Sequence, residues 1–218
     1  VVDMHAPGVE VRPLRQITGG AEFNEVYFTD VRVPAAEMLG SPGEGWRVSL
    51  TTLMNERTAI GGSTPPRGAG PIAHAVELFK ELDDVQQPLY RNRLMELWCE
   101  AEAIRLNNLR AAANRRMGSP GPEGSIGKMA GAEHNKRVYE FCMDLLGPRG
   151  LLYDDYASGG EGSGLASISR VAFLRSRANT IEGGTAEIMR NILGERVLGL
   201  PGDVRVDRDR PWKDVPRS

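Results

Sequence analysis

Gly45-Trp46-Arg47-Val48-Ser49-Leu50-Thr51-Thr52-Leu53-Met54-Asn55-Glu56-Arg57 is the stretch whose reading decides the fold. Leu50, Leu53, Met54 and Ile60 recur at helical spacing and form one apolar stripe, which Gly61-Gly62 ends. Glu56 lies three positions from Leu53 and four from Ile60, at the edge of that stripe. A carboxylate beside an apolar surface loses hydration, and its pKa rises toward the range of a general base. The same placement also suits a boundary Glu paired with a neighbouring arginine.

Working outward, a second stretch, Ile181-Glu182-Gly183-Gly184-Thr185, announces a helix over Ala186 to Leu198. Thr185 is the expected N-cap, Glu187 sits in the first turn and Arg196 in the last. Main-chain N–H groups at such a start point at whatever lies in front of them, and two glycines without Cβ atoms let a ligand approach. A tight turn that merely caps an ordinary helix has the same spacing.

Between and beyond these stretches, helices dominate. Pro71 to Leu82 predicts a short helix. Pro88 opens a long one with Leu94, Leu97, Trp98, Ala101, Ile104 and Ala112 on one face. Ser125 is expected to cap another, whose stripe runs from Ile126 to Leu145 and breaks at Gly147-Pro148. Asp83-Asp84 reads as a cap ahead of the long helix. Long antiparallel helices with one apolar stripe each make a bundle. Before it, Val9-Glu10-Val11-Arg12 and Glu25-Val26-Tyr27-Phe28 read as strands, too few for a stable sheet with both edges open. Residues 153–164 read as an exposed loop, and the charged stretch after Pro201 as an arm that Trp212 docks.

The composition, 40% hydrophobic and 26% charged, is that of an ordinary globular protein. A net charge of -2 gives no general basic surface, which argues against nucleic acid or an anionic membrane as partner. No apolar run approaches the length of a membrane span. Cys99 and Cys142 lie inside apolar helical patterns without metal-type spacing, as free thiols of a reducing compartment do. Four lysines stand against 23 arginines; with the free thiols, this makes the cytoplasm the expected location. His5, His74 and His134 are scattered without a ligand partner at helical spacing, so no metal site is expected.

Phe28-Thr-Asp-Val-Arg-Val-Pro34, Gly43-Glu-Gly-Trp46, Glu56-Arg57 and Leu174-Arg-Ser-Arg-Ala-Asn-Thr-Ile-Glu-Gly-Gly-Thr-Ala-Glu-Ile-Met-Arg-Asn191, in that order, resemble the acyl-CoA dehydrogenase family, and among its members the actinobacterial acyl-CoA and steroid-CoA dehydrogenases. The match covers nearly the whole chain but only the C-terminal part of the family's pattern, so the chain is expected to be a fragment. The resemblance implies a mainly α fold: the C-terminal four-helix-bundle domain of the acyl-CoA dehydrogenase fold, preceded by a remnant of the middle β-domain. The expected division is 1–43 for the β remnant, 44–200 for the helical bundle and 201–218 for the charged tail.

The resemblance also implies a chemistry. Acyl-CoA dehydrogenases remove an α-proton from an acyl thioester while the flavin of FAD takes a hydride from the β-carbon, giving a trans-2-enoyl-CoA. Most members carry the catalytic glutamate directly before the Gly-Thr of the late motif, where this chain has Gly183. A minority, the isovaleryl- and long-chain-type enzymes among them, place it before the arginine of the first bundle helix, which makes Glu56 the expected base and Glu182 the alternative. By the same resemblance the Gly183 N–H binds the thioester oxygen, Arg57 sits near the CoA moiety, and Gly184, Thr185 and Glu187 face FAD.

Acyl-CoA is then the substrate and an electron-transfer flavoprotein the expected acceptor. Two family motifs depart from pattern. The helix-borne Arg-x-x-Phe-Gly that reaches a neighbour's FAD pyrophosphate is replaced by Leu78-Phe-Lys-Glu-Leu-Asp-Asp-Val-Gln-Gln-Pro88, and Gln-x-x-Gly-Gly-x-Gly by Asp144-Leu-Leu-Gly147-Pro148-Arg149-Gly150. The expected assembly is a hetero-oligomer with an Arg-bearing paralogue, or a homo-oligomer in which Arg91 or Arg93 substitutes. A second functional reading is a non-catalytic structural subunit that assembles with a catalytic paralogue.

Overall fold

A computed structural model describes residues 1–60, 64–118, 121–152, 164–202, 204, 207 and 211–215, with the side chains of 54–60 and 212 excepted. The expected loop at 153–164 lies almost wholly outside the described residues, as does the side chain of Trp212. The chain opens with an antiparallel hairpin, β1 (Val9–Leu14) and β2 (Phe23–Phe28), in which Val9 pairs with Phe28 and Leu14 with Phe23. Val11, Leu14, Val26, Tyr27 and Phe28 all remain exposed, so apolar side chains on both faces of this ribbon are uncovered. Among the described residues these are the only two strands, so both sheet edges are open.

Six helices follow: α1 (Gly45–Ile60), α2 (Pro71–Lys80), α3 (Gln87–Arg116), α4 (Glu123–Leu146), α5 (Leu165–Ser176) and α6 (Ala186–Arg196). The chain is mainly α, as the periodicity predicts. α4 is the hub, packing against α2, α3, α5 and α6. It buries Val138, Phe141, Cys142, Leu145 and Leu146 against Ile72, Ala75 and Leu78 of α2 and Leu94 and Leu97 of α3. Each fully buried large apolar side chain contributes about 1.5–3 kcal/mol, so this cluster is the main source of cohesion. Gly147, at φ 53°, ends α4 by donating its N–H to the Met143 and Asp144 carbonyls, and Pro148 prevents continuation.

Local details differ from expectation where two signals compete. α4 begins at Glu123 after Pro122, which places Ser125 inside the first turn without a side-chain cap bond. The Asp83 carboxylate accepts from the Val85 and Gln86 N–H groups at 3.0 and 2.8 Å, so it caps the turn leading into α3. On α3, Ala111 is buried instead of Ala112, and Leu106 and Leu109 stay exposed on its C-terminal half. Leu50 and Leu53 of α1, expected as a packed stripe, are 41% and 48% exposed, and Trp46 on the same helix is 76% exposed. Helical spacing shows that such a face wants cover; it does not name the covering surface.

Candidate functional site

The site expected from sequence divides into two parts. Glu56 and Arg57 lie on α1, within its last two turns, with side chains outside the described residues. The other part, Glu182 through Glu187, is fully described and forms the turn between a 3-10 segment, Arg177–Thr180, and α6.

Thr185 caps α6 as predicted: its backbone is extended, and its Oγ1 accepts the Ile188 N–H at 3.2 Å. The N–H groups ahead of Ile188 have no main-chain acceptor within the helix, and that of Glu187 is met by its own carboxylate. Gly183 and Gly184 both adopt the left-handed region, φ 61° and 92°, which costs a side-chain-bearing residue about 1–2 kcal/mol. Glu187 is held below the usual carboxylate range by its own main-chain N–H and the Thr185 hydroxyl, with Arg190 and Lys136 contributing. Beneath the turn, Ala186 and Met189 are buried and anchor α6 to the bundle.

Glu182 is bound on both oxygens. Arg175 of α5 donates to it through Nη1 at 3.1 Å and Nη2 at 2.8 Å, and Asn179 Nδ2 donates at 2.8 Å. The Arg175 hydrogen bonds are the main reason its carboxyl is depressed, with Asn179 and the Lys128 charge adding to them. A carboxylate held in this way is a poor proton acceptor near neutral pH. Asn179 is itself tied to α4: Asn135 Nδ2 donates to its side-chain oxygen at 2.5 Å and Lys128 Nζ to its carbonyl at 2.7 Å. Desolvation lowers the Lys128 pKa, against the pull of Glu182 and Glu187. Arg177 adds a further anchor on α4, bonding Glu140 at 2.7 Å and the Lys136 carbonyl at 3.3 Å. On the other side, the Arg175 guanidinium stands 6.0 Å from the Phe23 ring of β2.

The sequence reading missed Arg175, Asn179, Asn135 and Lys128, whose convergence depends on α4 and α5 lying side by side. Among the described residues, no three His, Cys, Asp or Glu side chains converge as metal ligands would, and no helix is long and apolar enough to cross a membrane.

The family model of the acyl-CoA dehydrogenase C-terminal domain matches residues 43–198, and the chain belongs to the acyl-CoA dehydrogenase family. It is 38% identical over 205 residues to the acyl-CoA dehydrogenase IpdE1 of Mycolicibacterium smegmatis, covering 94% of this chain and 49% of that protein. The IpdE1 of Mycobacterium tuberculosis is 37% identical, with 94% and 51% covered. Among solved structures, the Tcur3481-Tcur3483 steroid ACAD superposes with a TM-score of 0.76 at 25% identity, covering 93% of this chain and 51% of that one. The ChsE4-ChsE5 complex from Mycobacterium tuberculosis gives a TM-score of 0.74 at 26% identity, covering 93% and 52%. The chain spans about half the length of the IpdE1 relatives it matches.

Proposed function

We propose that this chain is part of an FAD-dependent acyl-CoA dehydrogenase that desaturates an acyl-CoA thioester to a trans-2-enoyl-CoA, with Glu56 as the α-proton base. The observation that carries the assignment among carboxylates is the state of Glu182, whose two oxygens are engaged by Arg175 and Asn179. That leaves Glu56 as the remaining candidate of the two, on a helix whose described apolar residues Leu50 and Leu53 are exposed. Kinship with the IpdE1 enzymes and the fold of the steroid ACAD support a steroid-derived or fatty acyl group as substrate.

The residues present fit a flavin and a thioester. Gly183 and Gly184 are left-handed and half-buried, with Met189 Cε 2.8 Å from where a Cβ on Gly184 would stand, and the α6 start offers N–H groups with no main-chain acceptor inside the helix. The Gly183 N–H would donate to the thioester oxygen as its charge develops, which polarises the α-carbon for proton loss. Gly184, Thr185 and Glu187 would hold FAD, and Arg57 the CoA moiety. Bound FAD supplies the hydride acceptor for the β-carbon, and an electron-transfer flavoprotein would take the electrons onward. The division into a β remnant over 1–43, a bundle over 44–200 and a tail over 201–218 belongs to the same reading, as does a cytoplasmic location.

The assembly we propose is a hetero-oligomer. Arg93 is ion-paired to Asp144 and stacks 5.2 Å over the Phe141 ring, so its charge is committed within this chain. A pyrophosphate is costly to bury without a cation, and a paralogue's arginine would supply one. The ChsE4-ChsE5 relative is a complex of two named chains, in keeping with this reading. The second reading, favoured by the altered segments at Leu78–Pro88 and Asp144–Gly150, is a structural subunit without its own turnover. The deciding experiment is Glu56→Gln in the full protein with its partner. FAD should stay bound while acyl-CoA-dependent bleaching falls by orders of magnitude, because an amide takes no proton. Unchanged bleaching refutes the base assignment, and wild-type protein that binds no flavin in any assembly favours the structural subunit.

A further inference from the structure

We infer that Glu182, gripped by Arg175 and Asn179, is a positioning residue that fixes the Gly183-Gly184 turn in the conformation its N–H groups need in order to act on substrate. The inference rests on the reading that this turn receives the thioester oxygen. Two successive glycines form a highly permissive backbone, and here both hold positive φ, 61° and 92°. Left alone, such a turn samples many conformations, and a hydrogen-bond donor that must reorganise during the reaction loses most of its value. Thr185 secures the downstream side by capping α6.

The upstream side is secured by Glu182. Its main-chain N–H bonds the Ala178 carbonyl at 2.9 Å while Arg175 and Asn179 hold its carboxylate from two directions. Asn179 is fastened in turn to α4 through Lys128 and Asn135. The chain of bonds therefore runs from the rigid hub helix to the residue immediately before the flexible pair. Arg175 and Asn179 both precede the turn in sequence and bond the Glu182 side chain, so these clamp bonds are made to Glu182 and not to Gly183, Gly184 or Thr185. A carboxylate placed here for proton transfer would need a free oxygen, and each Glu182 oxygen already accepts a bond from Arg175.

The test uses the full protein with flavin and partner, comparing wild type with Glu182→Ala, Glu182→Gln and Arg175→Lys. Glu182→Ala should lower kcat about 10- to 100-fold, below the loss seen on deleting an oxyanion donor outright. KM should change by less than about 3-fold, since ground-state binding is little affected. The acid limb of the pH profile should stay in place, and Arg175→Lys should retain part of the activity by keeping one charged contact. Amide hydrogen exchange across 181–187, measured without substrate, should accelerate in Glu182→Ala. Faster exchange with unchanged kcat would make the clamp structural only and overturn the inference. Loss of the acid limb in Glu182→Gln would make Glu182 the base and overturn it as well. Undiminished turnover in Glu56→Gln would defeat the base assignment alone, because the exchange measurement judges the clamp independently of which group takes the proton.

Discussion

Truncating Phe141 to alanine removes the largest fully buried side chain of the hub helix. Its ring is met edge-on by Tyr90 at 6.1 Å and covered by the Arg93 guanidinium at 5.2 Å, both from α3. Phe-to-Ala changes at such sites cost about 3–5 kcal/mol, since the transfer energy is lost and a cavity remains. At roughly 2–4 °C per kcal/mol for a chain of this size, the melting temperature should fall by about 10 °C. Phe141→Leu refills most of the space and should cost only ~1–2 kcal/mol. Phe28, 56% exposed on the hairpin, is the control, and Phe28→Ala should stay within about 0.5 kcal/mol. Urea unfolding followed by far-UV circular dichroism reads the helices directly. A loss below about 1 kcal/mol for Phe141→Ala would refute the argument that the buried cluster joining α2, α3 and α4 is the main source of cohesion.

Further outcomes can be measured on the same chain. His134 is buried with Nε2 2.8 Å from the Leu97 carbonyl, and burial lowers its pKa, so the folded state prefers the neutral ring. Its contribution to stability is therefore complete above the ordinary histidine pKa of about 6.5 and declines as pH falls through that value, with a slope that His134→Gln removes. Thr185→Ala should cost about 1 kcal/mol and fray the start of α6, with Thr185→Ser restoring the cap, as exchange at Ile188 would report. Burial pushes the Cys142 thiol up to about 12, whereas Cys99 is exposed. A thiol reagent should therefore label Cys99 in the native protein and reach Cys142 only on unfolding; fast labelling of both would contradict the packing of α4.

Much of the fold is legible locally. Pro71 and Pro88 mark helix starts, Gly147-Pro148 marks a stop, and Thr185 with Glu187 signals the start of α6; each follows from backbone chemistry within one turn. Ser125 misled because a good capping residue lay within reach of Pro122, whose fixed φ starts the helix earlier. The clamp on Glu182 could not be read this way. Arg175 is seven residues distant, Asn135 and Lys128 lie 44 and 51 residues from Asn179, and no periodicity links them. The pairing of Arg93 with Asp144 is hidden for the same reason, since 51 residues separate them.

The long tie from Lys128 to Asn179 also fixes an order of events during folding. Helices α3 and α4 are neighbours in sequence and can zip together early, because closing the short connection between them costs little chain entropy. The segment before α6 has local bonds to Arg175, Ala178 and Asn179 but gains its tie to α4 only once α4 has formed, so the Gly183-Gly184 turn should take its final shape late. A ribosome-bound chain would therefore carry a formed core well before the Gly183-Gly184 turn was fixed, and mutations in the clamp should speed unfolding far more than they slow folding.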